Sequence, residues 1–341
     1  MLETRMRREI LEIPTATARL IENGPSDIKA AAAALQTTDP QFLISVARGS
    51  SDHVATFLKY ASELLMGRAI ASIGPSIASI YNKPLSLSGN ACLSVSQSGK
   101  SPDIIAMVRS AQSAGALSIA LTNDPASPLS EVSDHTLNIH AGSEISVAAT
   151  KTFVNSAIVG IWLLAEWAND NNLRRAIHGL PEVLDKAIQS DWSPLNAALV
   201  LRNSIFCLGR GPANAMSNEA ALKFKETCQI HAESYSSAEF LHGPVSIVDS
   251  GFPVIAFASQ DQAEAPLAEV ADALADKGAM VFATSQIVEK AIALPVVRTG
   301  HSLTDPIALI ASFYAMVEQF ASARGINPDA PRHLKKITET I

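Results

Sequence analysis

The sequence predicts two tandem α/β domains, each a mainly parallel sheet with helices on both faces. Three observations carry that expectation. The chain has 341 residues, too many for one hydrophobic core and enough for two of about 150 residues each. Short runs of strand formers alternate with helix-like segments, the pattern of a parallel sheet covered on both faces. The second half also replays landmarks of the first: Gly211 lies 162 residues after Gly49, Gln260 lies 163 after Gln97, and Gly278 lies 163 after Gly115. A period of that length means duplicated domains, since solenoid repeats are far shorter.

Residues 1–35 read as an N-terminal helical segment. It opens with Glu3, Arg5, Arg7, Arg8, Glu9 and Glu12 and lacks the apolar block of a secretory signal. The first domain, 36–170, begins with a strand over 42–47 that ends at Arg48-Gly49-Ser50-Ser51, followed by a helix over 52–66. A strand over 91–95 ends at Ser96-Gln97-Ser98-Gly99 before an amphipathic helix over 102–114, and a third strand over 117–121 ends at Thr122-Asn123-Asp124. The apolar run 153–168 is broken by Asn155, Ser156 and Glu166 and falls short of the roughly 18 uninterrupted apolar residues of a membrane span, so it reads as a buried helix.

Polar breaks at Asp170 and at Asp191-Trp192-Ser193-Pro194 bound a connecting region, 171–194, with one helix expected over 173–188. The second domain, 195–325, repeats the order: a strand over 204–208 runs into Gly209-Arg210-Gly211, a strand over 252–257 runs into Ala258-Ser259-Gln260, and a last helix spans 307–324. The polar tail, 326–341, ends in basic residues, and such tails are frequently frayed.

Composition narrows the function. Apolar residues at 48% and charged residues at 17% supply two cores and exclude disorder. A net charge of −7 with scattered Lys and Arg leaves no footprint for nucleic acid. Cys92, Cys207 and Cys228 are odd in number and lack the close Cys/His pairing of a zinc site, which suits a reduced, cytoplasmic setting with no metal.

In an open parallel sheet, ligands bind beyond the carboxyl ends of the strands. Ser96-Gln97-Ser98-Gly99-Lys100-Ser101 occupies such a position, with hydroxyls, an amide and backbone N–H groups able to surround a phosphate at a helix N-terminus. The competing reading is a polar turn in which Ser98 or Ser101 caps the helix. Gly49-Ser50-Ser51 adds a second hydroxyl-rich loop and tilts the balance toward binding. Neither the Walker spacing nor the dinucleotide glycine run occurs, so ATP and NAD are not implied.

These motifs, with Gly142-Ser-Glu-Ile-Ser-Val-Ala-Ala-Thr-Lys-Thr-Phe153, Ala221-Leu-Lys-Phe-Lys-Glu226, His231-Ala-Glu-Ser-Tyr235, Glu239-Phe-Leu-His-Gly-Pro244 and Pro331-Arg-His-Leu-Lys-Lys336, resemble the sugar isomerase (SIS) superfamily over almost the whole chain. The likeness is specifically to the isomerase portion of glucosamine-6-phosphate synthase. It implies two SIS domains of flavodoxin-like α/β/α sandwich form, a sugar phosphate as ligand, no cofactor and a homodimer with shared active sites. The synthase's glutaminase domain is not expected with this chain, so the expected activity is that of the stand-alone relatives: deamination of glucosamine 6-phosphate to fructose 6-phosphate and ammonia. The alternatives are a fructosamine-6-phosphate deglycase, an ammonia-dependent synthase, or a non-catalytic sugar-phosphate sensor.

The resemblance also assigns roles. Glu226 corresponds to the proton-transferring carboxylate, and Lys223, three residues earlier on the same helix, would moderate charge near it; without the family match the two read as an ordinary ion pair on a solvated helix. His242 corresponds to the ring-opening histidine, delivered in the family by the neighbouring subunit. Lys336 corresponds to the lysine that forms a Schiff base with the ketose, which requires a sheltered amine. Ser50, Ser51, Ser96, Gln97, Ser98, Ser101 and Val147 correspond to substrate contacts. Lys100, Ala238 and Lys335 depart from the family pattern and bear on the exact sugar. The second copy reads Ser259-Gln260-Asp261 where the first reads Ser96-Gln97-Ser98; an acidic residue there would repel phosphate, so the phosphate loop is expected in the first copy alone.

Overall fold

The computed structural model describes residues 3–336, so residues 1, 2 and 337–341 of the expected segments lie outside the described residues. The chain forms two compact units that interleave in sequence. Of the described residues, one contains Thr15–Glu144, Lys151–His178, Lys335 and Lys336; the other contains residues 3–14, Ile145–Thr150 and Gly179–Leu334.

The first unit is built on a parallel sheet of β1 (Leu43–Val46), β2 (Ile70–Ser72), β3 (Ala91–Val95), β4 (Leu117–Thr122) and β5 (His135–Asn138), in the order β2-β1-β3-β4-β5. Every residue of β1 and β3 is buried, as expected of strands covered on both faces. On one face, Ile104, Met107, Val108 and Ala111 of the helix Pro102–Ser113 pack with Ile44, Val46 and Cys92. The helix Lys151–Trp167, apolar through nearly its whole length, is buried except for part of Glu166. Its Asn155 side chain is satisfied by the carbonyls of Ala16 and Ile139 at 3.0 and 2.8 Å, which explains how a polar residue sits in that run.

The second unit repeats the plan with β6 (Ser204–Gly209), β7 (His231–Ser236), β8 (Pro253–Phe257), β9 (Met280–Ala283) and β10 (Ile292–Ala293), again parallel. Read from its other edge the order is β7-β6-β8-β9-β10, the same 2-1-3-4-5 arrangement as the first sheet and the doubly wound order of flavodoxin-like folds. The duplication extends to turns. Gly115 and Gly278, before β4 and β9, both adopt left-handed φ values, 83° and 90°. Their carbonyls accept the N–H groups of Gly89 and Gly251, at 3.3 and 2.7 Å. An added Cβ at either glycine would meet a serine, Ser88 or Ser250. The helix Asp305–Ala323 is long and apolar enough to span a membrane, but 83% of its apolar window is buried in the fold, the pattern of a core helix.

The N-terminal segment is helical and forms three helices, Arg5–Leu11, Ile13–Asn23 and Pro25–Thr38. One expectation changes. The single helix expected over 173–188 is two, Asn171–His178 and Leu180–Ala187, broken at Gly179. Pro181 follows directly; its ring lacks the N–H that would continue the preceding helix and suits the first turn of a new one.

Candidate functional site

In the first sheet the chain order reverses between β1 and β3, and there their carboxyl ends open a cavity of about 330 Å³. Arg48, Gly49 and Ser51 line one side; Ser96, Gln97, Ser98 and Ser101 line the other; Lys336 completes the wall. Glycine is required in the second loop. Gly99 has φ 63°, and a Cβ there would fall 2.1 Å from the Ser127 hydroxyl. Ser96 Oγ accepts the Gly99 N–H at 3.2 Å, and Ser98 Oγ accepts the Lys100 N–H at 3.3 Å, so the loop curls on its own hydroxyls. The Gln97 carbonyl accepts the Asn123 N–H at 3.0 Å, which anchors the backbone while its side chain borders the cavity. Ser101 sits at the N-cap of Pro102–Ser113 yet makes no side-chain capping bond, so its hydroxyl is not spent on the helix as the capping alternative required.

Two residues at this site were not singled out from the sequence. Arg48 is fixed by Asp103, whose Oδ2 accepts its Nε and Nη2 at 3.1 and 2.8 Å, and Asp103 is itself buried. This places a cation at the cavity wall beside Ser96, Gln97 and Ser98, a favourable setting for an anion. Glu144 lies within the 142–153 motif. Its buried carboxylate accepts the Thr152 N–H at 3.2 Å and the Thr152 hydroxyl at 2.6 Å, in the first turn of Lys151–Trp167. Lys336 Nζ donates to the same Oε2 at 2.8 Å. The tail lysine, expected as either frayed or sheltered, is sheltered: its side chain is 23% exposed and that of Glu144 is fully buried.

In the second unit Lys223 and Glu226 share the helix Ala213–Cys228, but the helix is not a solvated one. Lys223 Nζ contacts Glu226 Oε2 at 2.6 Å and Glu219 Oε1 at 3.1 Å; Lys223 and Glu219 are fully buried and Glu226 is 18% exposed. Burial opposes a charged lysine, but the two carboxylates outweigh it and hold the ammonium above the usual lysine range. Tyr314 donates to Glu219 at 3.0 Å. Lys223 therefore touches its carboxylates rather than solvent, and Glu226 is the member of the trio with an open side. His242 lies outside this cluster, exposed, in the turn after Ser237–Phe240, with its backbone N–H on the Glu239 carbonyl at 3.0 Å. Leu241 and Ile247 beside it are 50% and 62% exposed.

Two expected substrate contacts do not join the cavity lining. Ser50 opens the helix Ser50–Met66. Val147 belongs to the stretch Ile145–Thr150, which packs with the second unit because carboxylates there capture it: Glu9 accepts the N–H groups of Ile145 and Ser146, and Asp329 accepts the Ser146 hydroxyl at 3.1 Å. Among the described residues no group of three or more His, Cys, Asp or Glu is placed to hold a metal ion. The Cys92 and Cys228 thiols are pushed up to about 12 by burial, which keeps them protonated and poor nucleophiles near neutrality.

The second sheet has the corresponding reversal between β6 and β8, flanked by Gly209-Arg210-Gly211 and Ala258-Ser259-Gln260. Asp305 occupies it. Its Oδ2 accepts the Gln260 N–H at 2.9 Å and pairs with Arg298 at 2.5 Å, while Arg298 also reaches Glu264 at 3.2 Å. Asp261, expected to repel an anion, is shifted upward chiefly by burial, with Asp305 and Glu264 adding to the effect.

Comparison with known proteins agrees with the two-domain fold. The family model described as the SIS domain matches residues 39–166 and 198–324. Glutamine–fructose-6-phosphate aminotransferase (isomerizing) of Pyrobaculum aerophilum is 32% identical over 351 residues, covering 97% of this chain and 56% of its own. The enzyme of the same name from Sulfolobus acidocaldarius is 31% identical over 298 residues, covering 86% and 49%. The chain thus spans about half the length of the curated relatives it matches. Among solved structures, a protein from Silicibacter pomeroyi DSS-3, provisionally assigned as a phosphosugar isomerase, is 62% identical with a TM-score of 0.94, covering 96% of this chain and 100% of that one. Glucosamine-6-phosphate deaminase from Thermotoga maritima, 20% identical with a TM-score of 0.75 and covering 99% and 100%, shares the fold.

Proposed function

This chain belongs to the SIS domain family, and from that premise we propose that it is an amino-sugar phosphate deaminase with isomerase chemistry, acting on glucosamine 6-phosphate. The observation that carries the reading is the cavity at the β1/β3 reversal, where a serine- and glutamine-rich loop, the Arg48 cation and the Lys336 amine meet. Hydroxyls and backbone N–H groups at the start of a helix suit a phosphomonoester, and an amine at the same wall suits a carbonyl carbon.

The reaction opens the sugar ring, moves a proton from C2 to C1, and replaces the C2 nitrogen with water oxygen, releasing ammonia and fructose 6-phosphate. Glu226, the partly exposed member of its ion cluster, is proposed as the proton carrier, with Lys223 holding it in place. His242 is proposed to open the ring from a second copy of the chain. Its exposure beside the apolar Leu241 and Ile247 supports a subunit contact there.

Purified protein incubated with glucosamine 6-phosphate, without added metal or nucleotide, is expected to yield ammonia and fructose 6-phosphate in equal amounts. Tight sugar binding with neither product would sink the enzymatic reading in favour of a sensor. Turnover of fructosamine 6-phosphates alone would redirect it to a deglycase. Glu226→Gln is expected to abolish turnover and spare phosphate-dependent binding; unchanged turnover removes Glu226 from the proton-transfer role.

A further inference from the structure

We infer that Glu144 is a positioning residue and fixed counter-ion for Lys336, holding the amine at the cavity before and after it bonds to a ketose carbon. The inference rests on the proposed sugar-phosphate chemistry of this cavity, and it assigns a role to a residue that neither the motif comparison nor composition had distinguished.

The geometry begins with the helix Lys151–Trp167. Glu144 Oε1 accepts the Thr152 N–H and Oε2 accepts the Thr152 hydroxyl, so the carboxylate is clamped in the first turn. Peptide N–H groups and the positive end of the helix stabilise a negative charge there. Because the Glu144 side chain is fully buried and doubly bonded, it cannot swing to follow a partner; the partner must come to it. Lys336 does so, at 2.8 Å, from a position 192 residues later in the chain, and its side chain borders the serine-loop cavity.

Charge balance explains why a rigid anion suits this lysine. Condensation with a ketose forms a C–N bond and breaks the carbonyl C–O bond. An ammonium and a carbonyl give a protonated imine and water: two of the three ammonium hydrogens leave with the oxygen, one stays on nitrogen, and the single positive charge remains on Nζ. The neutral amine occurs only in passing. An anion fixed beside Nζ therefore stabilises both ends of the step without moving, and it favours the protonated imine, whose electron demand acidifies the adjacent C–H. A merely structural ion pair would tie down the tail and do none of this.

The test is borohydride trapping of the Lys336 imine with fructose 6-phosphate, followed across pH by intact mass and by peptide mapping, on the full chain. The unsubstituted protein is expected to gain one reduced sugar at Lys336, and Lys336→Ala none. Glu144→Gln is expected to accumulate trapped adduct about tenfold more slowly, with the alkaline limb of the trapping profile moved to lower pH, because a neutral neighbour no longer stabilises the protonated imine. Glu144→Asp should recover part of both. No adduct in the unsubstituted protein overturns the imine reading and this role with it. Adduct in that protein together with an unaltered rate and pH limb in Glu144→Gln overturns the role of Glu144 alone, as does faster trapping, which would mean that the carboxylate restrains the amine. Should Glu144→Gln fail to fold, Thr152→Val decides: it removes the hydroxyl on Oε2, is expected to slow trapping several-fold with the same direction of pH shift, and overturns the role if it matches the unsubstituted protein in both.

Discussion

The two sheets share one strand order, yet the same position in each carries different chemistry. Between β1 and β3 the loop ends leave a cavity walled by serines, Gln97 and two cations, Arg48 and Lys336. Between β6 and β8 the loop already has its anion: the Asp305 carboxylate accepts the Gln260 N–H and is locked by Arg298. An exogenous phosphate has a reason to enter the first and meets a resident negative charge in the second. The difference teaches that duplication preserved what burial specifies, the strands and their order, while a handful of loop residues decided where a ligand goes.

The largest expected effect probes the second copy at its buried ion cluster on Ala213–Cys228. Lys223→Met leaves the fully buried Glu219 without its cation, and stranding a buried charge costs about 3–5 kcal/mol. Urea unfolding should show that loss at neutral pH. Because the ammonium is favoured in the folded state, its contribution is complete below the ordinary lysine value and disappears only as pH rises through the raised folded value. The variant and the unsubstituted protein should therefore converge in strongly alkaline buffer, and a gap that widened there would contradict the assignment.

Asp305→Ala tests the contrast directly. It removes a carboxylate that is 1% exposed and leaves Arg298 with one carboxylate, Glu264, beside the Ala258 and Thr284 carbonyls, an expected loss of about 2–4 kcal/mol. It also vacates the second loop. Inorganic phosphate should then raise the melting temperature of the variant by more than it raises that of the unsubstituted protein; an equal rise would show that Asp305 is not standing in for an anion. Gly99→Ala attacks the first copy instead. A methyl group 2.1 Å from Ser127 Oγ, on a residue with φ 63°, should destabilise by about 1–3 kcal/mol and weaken phosphosugar binding, since the loop must open to admit it. Calorimetric titration with fructose 6-phosphate reads the second effect.

How much of this was legible in the sequence follows from how far apart the interacting residues lie. Strand ends such as Val46 and Val95 were visible because apolar runs stop at Gly and Ser, a local signal. The serine loop was visible for the same reason. The pairs that complete the sites are not local. Asp305 lies 45 residues after Gln260, and Lys336 lies 192 after Glu144, so no periodicity connects them. The break at Gly179 was written in the sequence with Pro181 beside it, but apolar spacing continued through Leu173, Ile177, Leu180 and Leu184 and masked it. That the stretch holding Val147 joins the second unit was not legible either, because the Glu9 and Asp329 bonds to Ile145 and Ser146 depend on both ends of the chain. Burial of Lys223 was likewise hidden, since one helix sequence does not say what packs over it.

The smallest effects give the sharpest form of the comparison, because Ser96 and Ser259 are the same residue type 163 positions apart at the two reversals. Ser96 Oγ accepts the Gly99 N–H and borders the cavity. Ser96→Ala is expected to cost about 1 kcal/mol and to weaken fructose 6-phosphate binding several-fold, through both the loop and the lost hydroxyl. Ser259 Oγ is buried without a hydrogen-bond partner. Its hydroxyl is a burden rather than a contact, so Ser259→Ala should leave stability unchanged or raise it by a few tenths of a kcal/mol, with ligand binding untouched. If the two alanine variants lost affinity equally, the second loop would have to take part in binding, and the division of labour drawn from Asp305 would fail with it.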